Sequence, residues 1–84
     1  MANVSIHDPI WDEYVQSRAR KTGVATQEIA DQVDRNTWYE QVYALHARLM
    51  RGEFSLGYMS KALGITKPDL YHLLDSMGLK VTNV

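Results

Sequence analysis

The stretch Thr66–His72, "TKPDLYH", gathers side chains able to address another molecule. The Thr66 hydroxyl both donates and accepts, Lys67 only donates, and an ionised Asp69 only accepts, while Tyr71 and His72 pair an apolar body with a polar tip. On a helix lying in the major groove of DNA these groups have defined partners. Lysine reaches a phosphate or guanine, a carboxylate accepts from cytosine N4, and an aromatic body approaches a phosphate or a thymine methyl. Ser55 and Lys61, a little upstream, are of the types that hold flanking phosphates. A second set is Asn3, Ser5 and His7, spaced so that all three point to one side of an extended segment. For every one of these residues the plain alternative is a solvated polar face.

The first set needs a scaffold, and "SLGYMSKALGITKPDLYHLL" supplies one. Leu56, Met59 and Leu63 fall on one face of a first helix. Ser60, four residues before Gly64, is small enough for a second helix to come close. Gly64 can take positive φ without steric cost and so turn the chain sharply. Ile65 plugs the space between the helices. Thr66 caps the second helix, and Asp69, three residues on, is expected to complete a capping box. Pro68 is tolerated in a first turn, and Leu70, Leu73 and Leu74 face inward. A small residue, a turn glycine, a branched plug and a capped second helix together predict a helix-turn-helix.

Upstream, "DPIWDEYVQSRARKTG" predicts a helix capped by Asp8, with Pro9 at its first position and Gly23 at its stop. Its buried stripe is Trp11, Tyr14, Val15 and Ala19, and Arg18, Arg20 and Lys21 suit its negative C-terminal end. A second helix follows with Thr26 as its expected cap, and Ile29 and Val33, four apart, share one face. A third, broad and central, is expected after a break near Asn36–Thr37, with Thr37 and Glu40 at capping-box spacing and Trp38, Val42, Leu45 and Leu49 in one row. "NVSIH" alternates as a short strand would, and "LKVTNV" alternates again. A lone strand must pair with something. The expected fold is therefore mainly α, with a short N-terminal strand, a long central helix and a C-terminal helix-turn-helix. It forms one domain over 1–84, with a strand-helix-helix dimerisation part over 1–35 and the central helix plus helix-turn-helix over 37–84.

The totals narrow the field. The chain has 84 residues, 45% hydrophobic and 23% charged, which is globular composition. A chain this short sits near the lower limit of independent stability, which makes oligomerisation attractive. It contains no cysteine, which removes disulfides, thiolate metal sites and cysteine nucleophiles. No apolar run approaches the ~20 residues of a membrane span, and "MANVSIHDPI" has no basic region followed by an apolar block, so neither membrane nor export is expected. Net charge is −1, but residues 1–46 carry four Lys/Arg against seven Asp/Glu, and residues 47–84 five against three. The C-terminal half is the positive one.

His7, His46 and His72 have no metal spacing, and His46 reads as an interior or boundary residue of the central helix. No Ser-His-Asp order, P-loop or glycine-rich cradle is present. Glu13, Glu28 and Glu53 carry no mark of catalysis, and no enzyme, metal or cofactor is expected.

"RGEFSLGYMSKALGITKPDLYHLLDSMGLKVTN" resembles the C-terminal part of a family of small prokaryotic proteins described as predicted antitoxins with a helix-turn-helix. The resemblance covers about the last 40 residues. It implies a DNA-binding regulator that represses its own operon and neutralises a toxin. The N-terminal "VSIHDPIWDEYVQSRARKTGVATQEI" looks like a ribbon-helix-helix, which implies a strand-paired homodimer with Asn3, Ser5 and His7 on the outer face of the ribbon. Such ribbons usually offer Arg, Lys or Gln, so strand pairing for dimerisation alone is at least as good a reading. The expected function is cytoplasmic, sequence-specific binding of double-stranded DNA. The competing expectation is a small protein-docking module or inhibitor of phage or mobile-element type. Most of Trp11, Trp38, Tyr39, Tyr43 and Tyr58 should be core, and any exposed pair among them would be the docking patch, since Trp and Tyr dominate interface hot spots.

Overall fold

The computed structural model describes residues 8–81. Five helices follow one another: α1 (Pro9–Thr22), α2 (Thr26–Gln32), α3 (Arg35–Met50), α4 (Leu56–Leu63) and α5 (Lys67–Ser76). The mainly α expectation holds, but its strand component is corrected here, because every element among the described residues is a helix and none is a strand. The strand expected at "NVSIH", with Asn3, Ser5 and His7, lies outside the described residues. No strand among the described residues offers an edge with which it could pair. The second alternating stretch begins as a pinned tail. The Leu79 N–H bonds the Leu74 carbonyl at 2.8 Å, closing the end of α5, and the Lys80 carbonyl lies 2.7 Å from His46 Nε2.

The helix ends explain the boundaries. Asp8 caps α1 by accepting from the Trp11 N–H at 3.1 Å, and Gly23 stops it at φ 76°. α2 starts without a side-chain cap at Ala25, so Thr26 is its first residue rather than its cap. The break before α3 falls at Val33–Asp34 instead of Asn36–Thr37. Asp34 caps α3 and accepts from both the N–H and the hydroxyl of Thr37, each at 2.9 Å. A carboxylate that takes two donors outcompetes the Thr37–Glu40 box, and those bonds, the Thr37 N–H first, hold the Asp34 carboxyl below its usual range.

The core joins both halves of the chain. Tyr14 and Val15 of α1, Ile29 of α2, Trp38 and Val42 of α3, Met59 and Leu63 of α4, Ile65, and Leu70, Leu73 and Leu74 of α5 are all buried. Trp38 is its aromatic hub, with ring centroids 4.6 Å from Tyr14, 4.7 Å from Tyr39 and 5.2 Å from Trp11. Beside the hub the Tyr39 hydroxyl donates to the Asp8 carboxylate at 2.8 Å, and Arg35 approaches that carboxylate at 3.4 Å. α1 packs on α2 and on α5, and α4 packs on α3 and on α5. The helix-turn-helix is thus braced by α1 against α5 and by α3 against α4. No helix among the described residues is long and apolar enough to cross a membrane.

Candidate nucleic-acid interface

Local bonds shape the corner between α4 and α5. Ser55 caps α4, its Oγ accepting from the Tyr58 N–H at 3.2 Å. Ser60 is buried and returns its own hydroxyl to the Gly57 carbonyl at 2.8 Å, so a polar group in the helix–helix contact stays satisfied. Gly64 adopts φ 74°, and two bonds close the helix end: its own N–H to Lys61 at 3.1 Å and the Ile65 N–H to Ser60 at 3.0 Å. The second bond requires the left-handed conformation at Gly64, which glycine takes without the Cβ penalty. Ile65 drops into the core at 1% exposure. Thr66 caps α5 with Oγ1 accepting from the Asp69 N–H at 3.3 Å. The Asp69 side chain does not complete the reciprocal half of a capping box. It turns to Arg20 of α1, 3.4 Å away.

α1 holds this corner in place. The Tyr14 hydroxyl donates to the Leu63 carbonyl at 2.7 Å and accepts from Arg18 Nη1 at 3.1 Å. Burial raises the pKa of the Tyr14 phenol, against the opposing pull of Arg18. The Arg18 side chain lies along the turn, with Nε 3.2 Å from where a Cβ on Gly64 would stand. Glu13 meets His72 at 2.9 Å.

The sequence-derived candidates divide into three groups. Thr66, Lys67 and Tyr71 form an outward strip at the start of α5, all exposed. Ser55 and Lys67 come together over Gly57: a Cβ built there would lie 3.6 Å from Ser55 Oγ and 3.8 Å from Lys67 Cδ. Lys61 is exposed one turn after Gly57. Asp69 and His72 are engaged by α1, through Arg20 and Glu13. Asn3, Ser5 and His7 lie outside the described residues.

Sequence reasoning assigned Arg18 and Arg20 only to the end of α1. In the fold they stand beside the turn and beside α5, joining Lys61 and Lys67 around the corner. Arg18 follows Tyr14 by four residues and so shares its face, a signal that pointed toward the core side of α1. The charge around the start of α5 is therefore more positive than the chain's total of −1 suggests.

Two other surfaces bear on function. An open groove of about 220 Å³ between α1 and α2, lined by Trp11, Val15, Gln16 and Thr26 among others, is smaller than typical ligand sites of roughly 300–1,000 Å³. At the start of α4, Phe54 and Tyr58 stack at 4.8 Å, and the Arg48 guanidinium sits 5.3 Å over the Phe54 ring. Among the described residues no cluster of three or more His, Asp or Glu could hold a metal ion. No family model matches the chain, and neither the curated proteins nor the solved structures contain a match to it. Its functional reading therefore comes from its own geometry.

Proposed function

We propose that the α4–α5 corner binds double-stranded DNA with the first turns of α5 in the major groove, and that the protein is a cytoplasmic, sequence-specific transcriptional regulator. One observation carries the reading. Thr66, Lys67 and Tyr71 stand exposed on a short helix whose opposite side, Leu70, Leu73 and Leu74, is locked in the core. A rigid helix that presents its N-terminal polar face is what groove readers use. Phosphate attraction supplies most of the non-specific affinity, and the cations gathered at the corner provide it. In this reading two copies share an inverted repeat, with half-sites about one helical turn apart.

The test is selection of duplexes from a random library, followed by titration of the enriched sequence at two salt concentrations. The expected result is an enriched motif, bound more weakly as salt rises, with Lys67→Ala weakening binding. Failure to enrich any sequence would remove the reading.

A second reading has its own observation. Tyr43 is 51% exposed and Tyr58 57%, the latter stacked on Phe54, a combination that suits docking on a protein. An antitoxin would use both surfaces, α5 on DNA and the aromatic patch on its partner. Tyr58→Ala that leaves DNA binding intact but abolishes binding to a toxin encoded beside this chain would support that combination.

A further inference from the structure

α5 has a cation on each flank, one its own and one from α1. Lys67 and Asp69 are two residues apart, so their side chains diverge by about 200° around the helix. Lys67 leans over α4 at Gly57, and Asp69 turns the other way to meet Arg20 of α1. Arg20 is held at two points: Nη2 donates to Ser17 Oγ at 3.3 Å and to Asp69 Oδ1 at 3.4 Å. Ser17 is buried, so the first of these points is fixed. The Arg20 side chain is still 63% exposed. An ion pair this open adds little to stability. Its consequence is positional, because it parks a guanidinium, with donors to spare, at the edge of the helix that presents Thr66 and Tyr71.

The major groove is about 12 Å wide and bounded by two phosphate ridges. A helix seated in it with a cation on each flank can touch both. We infer that Arg20 is a backbone anchor, donating to a phosphate on the ridge opposite the one Lys67 addresses, with Ser17 and Asp69 as the residues that position it. This rests on the DNA reading above and adds a residue from α1 to the interface. Arginine suits the task because its planar fork can donate to Asp69 and to a phosphate oxygen together.

The test compares the salt dependence of binding to the enriched duplex for the wild type, Arg20→Gln, Arg20→Lys and Lys21→Gln. Lys21 is an exposed neighbour on the same turn, so its variant carries the same change in net charge. The expected result is that Arg20→Gln lowers the slope of log K against log salt by about 0.9, the value of one lost phosphate contact. Base preference stays unchanged, Arg20→Lys recovers part of the slope, and Lys21→Gln leaves it near the wild-type value. Equal losses for Arg20→Gln and Lys21→Gln, or an unchanged slope for Arg20→Gln, would overturn the anchor while leaving the DNA reading standing. A wild type that enriches no duplex would bring down both.

Discussion

The Tyr14 hydroxyl and the Leu63 carbonyl, 49 residues apart, are joined by a buried 2.7 Å hydrogen bond. It ties the middle of α1 to the last residue of α4, one position before the turn. Tyr14→Phe keeps the ring against Trp38 but leaves the carbonyl without its donor. We expect a loss of about 1–2 kcal/mol, the range for a buried polar group left unpaired, measured by urea denaturation. A variant as stable as the wild type would mean that water reaches Leu63 freely.

Gly64 and Gly23 separate two causes of glycine dependence. Both have positive φ, 74° and 76°, but an added Cβ meets Arg18 at Gly64 and nothing within 4 Å at Gly23. Gly23→Ala should cost the left-handed backbone penalty alone, about 1–2 kcal/mol. Gly64→Ala should cost more, and the excess should vanish in an Arg18→Ala background. Thermal melts of the wild type, Gly64→Ala, Arg18→Ala and the double variant form a double-mutant cycle that isolates the contact. If the excess survives Arg18→Ala, the turn itself is the source.

The corner was legible in the sequence because its determinants are local. Ser60, Gly64, Ile65 and Thr66 each answer a requirement set within five residues, and all four occupy the places their types predict. The start of α3 was harder, since Asp34 and Thr37 both have capping chemistry and only the competition between them decides. The pairs Arg20–Asp69 and Glu13–His72 were out of reach. They depend on how α1 crosses α5, and side-chain type says nothing about a crossing across 49 or 59 residues. The alternation of "NVSIH" suggested a strand, but alternation describes a face and supplies no partner for it.

The Asp8–Tyr39 bond predicts how stability depends on pH. Burial, the bond to Asp8 and its charge push the Tyr39 phenol up to about 12. A raised folded pKa favours the neutral phenol, so its stabilisation is whole below the ordinary tyrosine value near 10 and fades as pH rises toward about 12. Burial acts to raise the Asp8 carboxyl, but bonds from the Trp11 N–H and Tyr39, with Arg35 nearby, together hold it below its usual value. That contribution is present above the ordinary aspartate pKa and is lost as pH falls through the lowered one. Denaturation midpoints recorded across pH should fall at both ends. Tyr39→Phe should flatten the alkaline fall and keep only part of the acid one. An alkaline limb unchanged in Tyr39→Phe would assign it to another group, with Tyr14 the next to examine.

Ser55 and Thr66 are helix caps as well as candidate contacts, so their alanine variants confound folding with binding. Each cap bond, at 3.2 and 3.3 Å, satisfies an N–H that otherwise has no partner in its helix. Ser55→Ala and Thr66→Ala should therefore each cost about 1 kcal/mol of stability, whatever they do to DNA binding. Thr66→Ser retains the capping oxygen and removes only a methyl from an exposed residue, so its stability should stay within about 0.5 kcal/mol of the wild type. If α5 reads bases through this position, Thr66→Ser shifts preference at one base pair and leaves the salt dependence alone, because a methyl neutralises no phosphate. Lys67→Ala should do the reverse, lowering the salt slope and weakening binding to all sequences alike. A chain in which Thr66→Ser and Lys67→Ala alter neither property, while Tyr58→Ala abolishes binding to a protein partner, would belong to the docking class, with α5 serving as a structural support for the aromatic patch.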